Sequence, residues 1–171
     1  QYQSLPYQQQ QYFVLCAKAE HTIQNIVVAG MGGSGIGADF AIEFTAEERT
    51  VPMLTSKSYT LPAFVNKNTL LICSSFSGNT EETLYSFAEG LEMGAKIVCI
   101  TSGGKLMELA KKHGLDYIEL PNNGESPRAC LGYSLVQQLF VLKFFGFCSE
   151  ARIDEVKKVV PLLEKDQEVL K

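Results

Sequence analysis

The stretch Thr69-Leu70-Leu71-Ile72-Cys73-Ser74-Ser75-Phe76-Ser77-Gly78-Asn79-Thr80-Glu81-Glu82 runs from apolar residues through hydroxyls and a glycine to paired acids. Its opening reads as a buried strand over Leu70–Ser74, and the residues from Glu81 to Met93 read as a helix. Ser75, Ser77 and Thr80 therefore gather with Gly78 where a strand ends and a helix begins. Free backbone N–H groups and the partial positive charge of a helix amino terminus favour an anion at such a place. The hydroxyls add neutral donors, so a phosphate can be held there without a lysine.

Four more apolar runs, rich in Val and Ile, lie around this unit: Asn25–Ala29, Val51–Thr55, Lys96–Thr101 and Asp116–Leu120. They do not alternate apolar with polar, as expected of strands covered on both faces. Helical patterns separate most of them, at Ile36–Glu48, Glu81–Met93 and Lys105–His113, with Gly94 and Gly114 where helix C-caps belong. Alternating strands and helices imply an α/β fold, a three-layer αβα sandwich on a five-stranded parallel sheet. Two long helices follow, roughly Arg128–Phe145 and Arg152–Lys171. The first is apolar nearly all round. Leu131, Leu135, Leu139 and Leu142 are expected on the sheet, with Tyr133, Phe140, Phe144 and Phe147 turned toward a second partner.

A second glycine-bearing turn, Gly30-Met31-Gly32-Gly33-Ser34-Gly35-Ile36-Gly37, follows the first of the five strands and satisfies GxGxxG through Gly30, Gly32 and Gly35. A dinucleotide site also wants an acid about 20 residues on, at the end of the next strand. Leu54-Thr55-Ser56-Lys57 offers none, and GxxxxGK[ST] is absent, so a nucleotide is disfavoured. Ligands of open parallel sheets lie at the carboxyl ends of strands, where strand order reverses. If the first and third of these strands are neighbours, in the flavodoxin-like order, the Gly32–Gly35 and Ser75–Thr80 loops surround one anion. The bland alternative is that Ser75, Ser77 and Thr80 only cap a helix. In the segment Pro121–Tyr133, Arg128 stands at a helix start, where the dipole disfavours a cation. That placement suggests either a task on substrate oxygen or a surface salt bridge.

The chain has 171 residues, 46% hydrophobic and 20% charged, which fits one domain with a sizeable core. The net charge of −4 comes without a basic stripe, which argues against nucleic acid. Cys16, Cys73, Cys99, Cys130 and Cys148 form no CxxC and have only His21 and His113 for company, so a zinc site is not expected. They read as small core hydrophobes kept reduced in a cytoplasmic setting. Gln137, Gln138 and Lys143 within Ala129–Phe147 argue against a membrane span. No signal peptide is legible, and the opening Gln1-Tyr2-Gln3, without an initiating methionine, raises the expectation that residues precede it.

The motifs Gly32-Gly33-Ser34-Gly35-Ile36-Gly37, Ser75-Phe76-Ser77-Gly78-Asn79-Thr80-Glu81-Glu82 and Pro127-Arg128-Ala129-Cys130-Leu131-Gly132-Tyr133 together resemble a sugar isomerase (SIS) domain. More narrowly, they are similar to the first SIS half of the bifunctional phosphoglucose/phosphomannose isomerases. The resemblance covers roughly residues 20–150. It implies a phosphosugar-binding domain over residues 1–150 and a helix over 151–171 leading toward a second SIS domain. It implies that Gly33, Ser34, Ser75, Ser77 and Thr80 hold a sugar 6-phosphate, and that Arg128 steadies an enediolate near C1 and C2. The implied reaction interconverts glucose or mannose 6-phosphate and fructose 6-phosphate in a homodimer, with no metal or organic cofactor. The glutamate base would come from the second domain and a histidine from the neighbouring subunit. Neither His21 nor His113 matches such a motif, and Glu82 fits a capping box with Asn79 better than a base. A non-catalytic SIS sensor of phosphosugars, regulating a partner, is the rival reading, and Arg128 discriminates the two.

Overall fold

A computed structural model describes residues 13–14, 22–122 and 130–169, with side chains described for 22–122, 130–159 and 161. The strands are β1 (Phe13–Val14), β2 (Asn25–Ala29), β3 (Met53–Ser56), β4 (Thr69–Ser74), β5 (Lys96–Thr101) and β6 (Asp116–Glu119). The helices are α1 (Gly32–Phe44), α2 (Glu81–Glu92), α3 (Gly104–Lys112), α4 (Leu131–Phe144) and α5 (Glu150–Val169).

The sheet runs β1-β6-β5-β4-β2-β3, and the five strands from β2 to β6 are all parallel, as expected. β1 adds an antiparallel edge, with Phe13 opposite Ile118. At two residues it is too short to carry a periodicity that sequence could disclose. β2 lies between β3 and β4, with Ala29 opposite both Ser56 and Cys73. Strand order therefore reverses between β2 and β4, the neighbour relation on which the anion site depends.

Side chains of the central strands alternate between two cores. Ile26, Val28, Leu70, Ile72, Val98 and Ile100 pack with Ala38, Ala41, Leu139 and Leu142 beneath α1 and α4. Val27, Leu71, Cys73, Ile97 and Cys99 pack with Phe87 and Leu106 beneath α2 and α3. These two cores separate the three layers, and each fully buried Leu, Ile or Phe is worth about 1.5–3 kcal/mol. Burial also pushes the Cys73 thiol well up, and the Cys99 thiol up to about 12 with the Asp116 carboxylate adding to it. Both cysteines are core hydrophobes rather than nucleophiles.

Two helices depart from expectation. α1 begins at Gly32, four residues ahead of Ile36, because Gly32 itself makes the turn at φ +51° and frees the glycines behind it to join the helix. It ends at Phe44, short of Glu48, where Arg49 bonds the carbonyls of Ile42 (3.2 Å) and Val51 (3.0 Å). In α4 the fully buried positions are Ser134, Gln137, Gln138, Leu139, Val141 and Leu142, while Leu131 and Leu135 are only half-buried. Phe147, expected to face away, is buried at the end of this core, and Phe144 is 39% exposed. Leu139 and Leu142 keep their expected place in the core, whereas Leu131 and Leu135 give way to Ser134 and Gln138, which find polar partners inside. None of the helices among the described residues is long and apolar enough to cross a membrane.

Candidate anion site at the β2–β4 junction

The first turn of the site leaves β2 at Gly30 and enters α1. Ser34 and Gly35 both donate their N–H groups to Met31 O, at 3.1 and 3.2 Å. Gly35 has no room for a side chain, since a Cβ there would stand 2.6 Å from Gly30 O and 3.0 Å from Lys57 Cε. A Cβ on Gly30 would lie 3.0 Å from Ser74 O, so this turn touches the end of β4 directly. Gly33 and Ser34, expected in a loop, instead occupy the first turn of α1, with Ser34 buried at 8% exposure. The Gly33 N–H finds no acceptor among the described residues, as is usual at a helix start, whereas that of Ser34 is taken by Met31 O. Met31, at the N-cap position, supplies no side-chain hydrogen bond.

The second turn leaves β4 at Ser75. Ser75 donates its N–H to Ile100 O (3.0 Å), and Gly78 donates its own to Ser75 O and Ser75 Oγ, both at 3.1 Å. The hydroxyls of Ser75 and Thr80 meet at 2.8 Å, and Ser77 Oγ accepts the Asn79 N–H at 3.2 Å. Ser75 is buried, Thr80 half-buried and Ser77 exposed.

None of these hydroxyls caps α2, whose N-cap Thr80 makes no side-chain cap bond. The purely capping explanation therefore fails. Of the three hydroxyl hydrogens, one joins Ser75 to Thr80 and two find no acceptor among the described residues. Two hydroxyl donors and the uncapped first turns of α1 and α2 thus converge where β2 and β4 end.

A third turn, after β5, braces the second. Ser102 donates from both N and Oγ to Phe76 O (3.0 and 2.6 Å), and Leu106 N–H donates to Gly78 O (2.9 Å). Asn79 does not cap α2 as the capping box would have it. Its Oδ1 accepts the Lys105 N–H of α3 at 3.1 Å, tying one helix start to the next. Such bracing fixes the donors before any ligand arrives.

Arg128, like Glu125 in the same segment, lies outside the described residues, as does His21. Sequence places Arg128 three residues ahead of Leu131, the first residue of α4. Glu81 and Glu82 occupy the first turn of α2, where acids suit the dipole. His113 stands at the C-cap of α3, edge-on to Phe87 at 6.2 Å, remote from the carboxyl ends of the strands.

Sequence reasoning passed over two groups here. Lys57 crosses the first turn of α1 and pairs with Asp39 at 2.6 Å, while Thr55 Oγ1 donates to the other carboxylate oxygen at 2.7 Å. The Lys57 hydrogen bond, foremost, holds the Asp39 carboxyl below its usual range. The second group is the trio Ser74, Ser134 and Gln138, joined by buried hydrogen bonds. Its only trace in the sequence is a polar pair at i, i+4 inside an apolar helix.

No family model matches the chain. The bifunctional phosphoglucose/phosphomannose isomerase of Caldicellulosiruptor bescii is 42% identical over 146 residues, which make up 85% of this chain and 42% of that protein. The enzyme of the same name from Aquifex aeolicus is 48% identical over 121 residues, 70% of this chain and 37% of that protein. Among solved structures, tagatose-6-phosphate ketose/aldose isomerase from Escherichia coli aligns with a TM-score of 0.62 at 16% identity, over 85% of this chain and 43% of that one, a likeness of fold. The chain spans less than half the length of the curated relatives it matches.

Proposed function

The chain is a sugar isomerase (SIS) domain resembling the first half of the bifunctional phosphoglucose/phosphomannose isomerases, and on that footing we propose that it binds a hexose 6-phosphate for aldose–ketose isomerisation. The observation that carries the reading is the meeting of two uncapped helix starts at adjacent strands, with Gly30 packed against Ser74 O and spare hydroxyl donors between them.

In this proposal Gly33 offers the dianion its N–H at the start of α1, and Ser34 offers its hydroxyl. Ser75, Ser77 and Thr80 offer hydroxyls and the amide end of α2. Arg128, entering α4, faces the sugar's C1 and C2. A base removes the C2 proton, and its electron pair forms the C1–C2 double bond as the carbonyl pair moves onto O1, giving an enediolate. O1 then takes a proton and O2 gives one up, the base returns its proton to C1, and the C2 carbonyl forms. Arg128 stabilises the oxygen charge of that intermediate, the term to which electrostatics contributes most. The base and acid belong to a second SIS domain and to a neighbouring subunit of a homodimer, in the cytoplasm.

Titration calorimetry with fructose 6-phosphate tests the reading, with Arg128→Ala as the companion variant. The expected outcome is binding by the wild-type chain, retained in Arg128→Ala, with turnover of the full-length enzyme falling at least a hundredfold. Absence of binding by the wild-type chain would overturn the proposal. Equal loss of binding and turnover in Arg128→Ala would favour a phosphosugar sensor.

A further inference from the structure

The face of α4 that meets α1 and β4 carries amides and hydroxyls where leucines would pack. Gln138 is fully buried, and its Nε2 donates both to the Ser34 carbonyl, at 3.2 Å, and to Ser134 Oγ, at 3.0 Å. Ser134 Oγ in turn lies 3.0 Å from Ser74 Oγ. Ser134 and Ser74 are both nearly inaccessible, at 2% and 1% exposure. Three side chains therefore link three elements: the first turn of α1, the last residue of β4 and the opening of α4.

Each end of this chain of bonds sits beside the proposed site. Ser34 is itself one of the anion-facing residues, and Ser74 directly precedes Ser75. Ser134 lies in the first turn of α4, six residues after Arg128. The lever is short, because α1 and α4 approach closely: a Cβ on Gly37 would stand 3.3 Å from Leu135 N and 3.6 Å from Gln138 Nε2. Ser34, Gly37, Ala38 and Ala41 are the buried small residues that allow it.

Stability alone does not account for the amide. Gln138 Oε1 is buried with no hydrogen-bond partner among the described residues, a burden of about 1–3 kcal/mol. A leucine of similar size would carry no such cost and would still fill the space. What the amide adds is direction, since its two hydrogens hold a helix turn and a hydroxyl at fixed separation.

We infer that Ser74, Ser134 and Gln138 are positioning residues that set the span between the phosphate-holding turns and the entry of α4, and so favour a hexose phosphate over a bare phosphate. The inference rests on the function proposed above. It assigns these three side chains no contact with the ligand.

The test compares affinities for fructose 6-phosphate and for inorganic phosphate, measured by calorimetry on the full chain and on Ser134→Ala, Ser134→Thr and Gln138→Leu. Inorganic phosphate reports the turns alone, whereas the sugar phosphate also reports the far end of the site. In Ser134→Ala and Gln138→Leu, affinity for fructose 6-phosphate is expected to fall about tenfold, the scale of one buried hydrogen bond. Affinity for inorganic phosphate is expected to stay within about twofold, again well under one hydrogen bond. Ser134→Thr keeps the hydroxyl and is expected to keep the wild-type ratio.

An unchanged ratio in both disrupted variants would overturn the inference while leaving the proposed function intact. The inference would equally be overturned if Ser134→Thr lost as much as Ser134→Ala, because bulk rather than the hydrogen bond would then matter. A wild-type chain that binds inorganic phosphate but not fructose 6-phosphate would remove both.

Discussion

Gly78 holds the second turn in a form no other residue can adopt. Its φ is +69°, and a Cβ would meet Gly103 O at 1.9 Å, a backbone atom that cannot rotate away. Gly78→Ala is therefore expected to cost about 3 kcal/mol or more in urea unfolding, at the upper end for single substitutions, and to abolish phosphosugar binding. The hydroxyls around it were legible in the sequence because a Ser-x-Ser-Gly-x-Thr run between strand and helix has few other uses. Gln138 was not, because helical periodicity marks it as polar without saying whether a partner waits inside. Asn79 misled for a related reason: its side chain can cap the helix that follows or the one that neighbours it, and only Lys105 settles which. Arg128 remains a reading from sequence.

Between elements, α5 is held to the end of α1 by a small set of charges. Glu48 accepts the Ser149 N–H at 2.9 Å and its hydroxyl at 2.7 Å, while Arg152 pairs with Glu47 at 2.5 Å and lies 5.5 Å from the centre of the Phe44 ring. The bonds from Ser149, first its N–H and then its hydroxyl, hold the Glu48 carboxyl below the usual range. Its contribution to stability is therefore complete above the unfolded value of about 4.3 and disappears as pH falls through the lower folded value. Wild type is expected to exceed Glu48→Gln in stability at pH 7, and the gap is expected to close toward pH 3 when both are unfolded in urea across that range. The positions of the five parallel strands were legible because buried β-branched runs are short and sharply bounded. The start of α1 was not, since glycines signal a turn and give no sign that a single positive φ, at Gly32, completes it.

For the molecule as a whole, the order of the strands mattered more than their positions, and sequence left that order conditional. The observed β5-β4-β2-β3 arrangement brings the two turns together. The apolar excess of α4 led to an expectation of a partner, and part of that excess proves to be core. What stays outward is Phe144, with Ile36 and Phe40 a turn apart on the neighbouring α1, exposed by 39, 45 and 55%. Sedimentation velocity at tens of micromolar is expected to show self-association of the wild-type chain, weakened in Phe40→Ser; a dilution-resistant monomer would speak against it.

β3, the sheet edge opposite β1, bears on how copies can meet. It is four residues long, preceded by Pro52 and followed by the charged Lys57. Prolines, lysines and brevity are the usual guards against lateral sheet growth from one chain to the next. With that flank guarded, copies of the chain gain little by joining through β3, and the apolar side chains left outward on α1 and α4 offer them the more favourable meeting place.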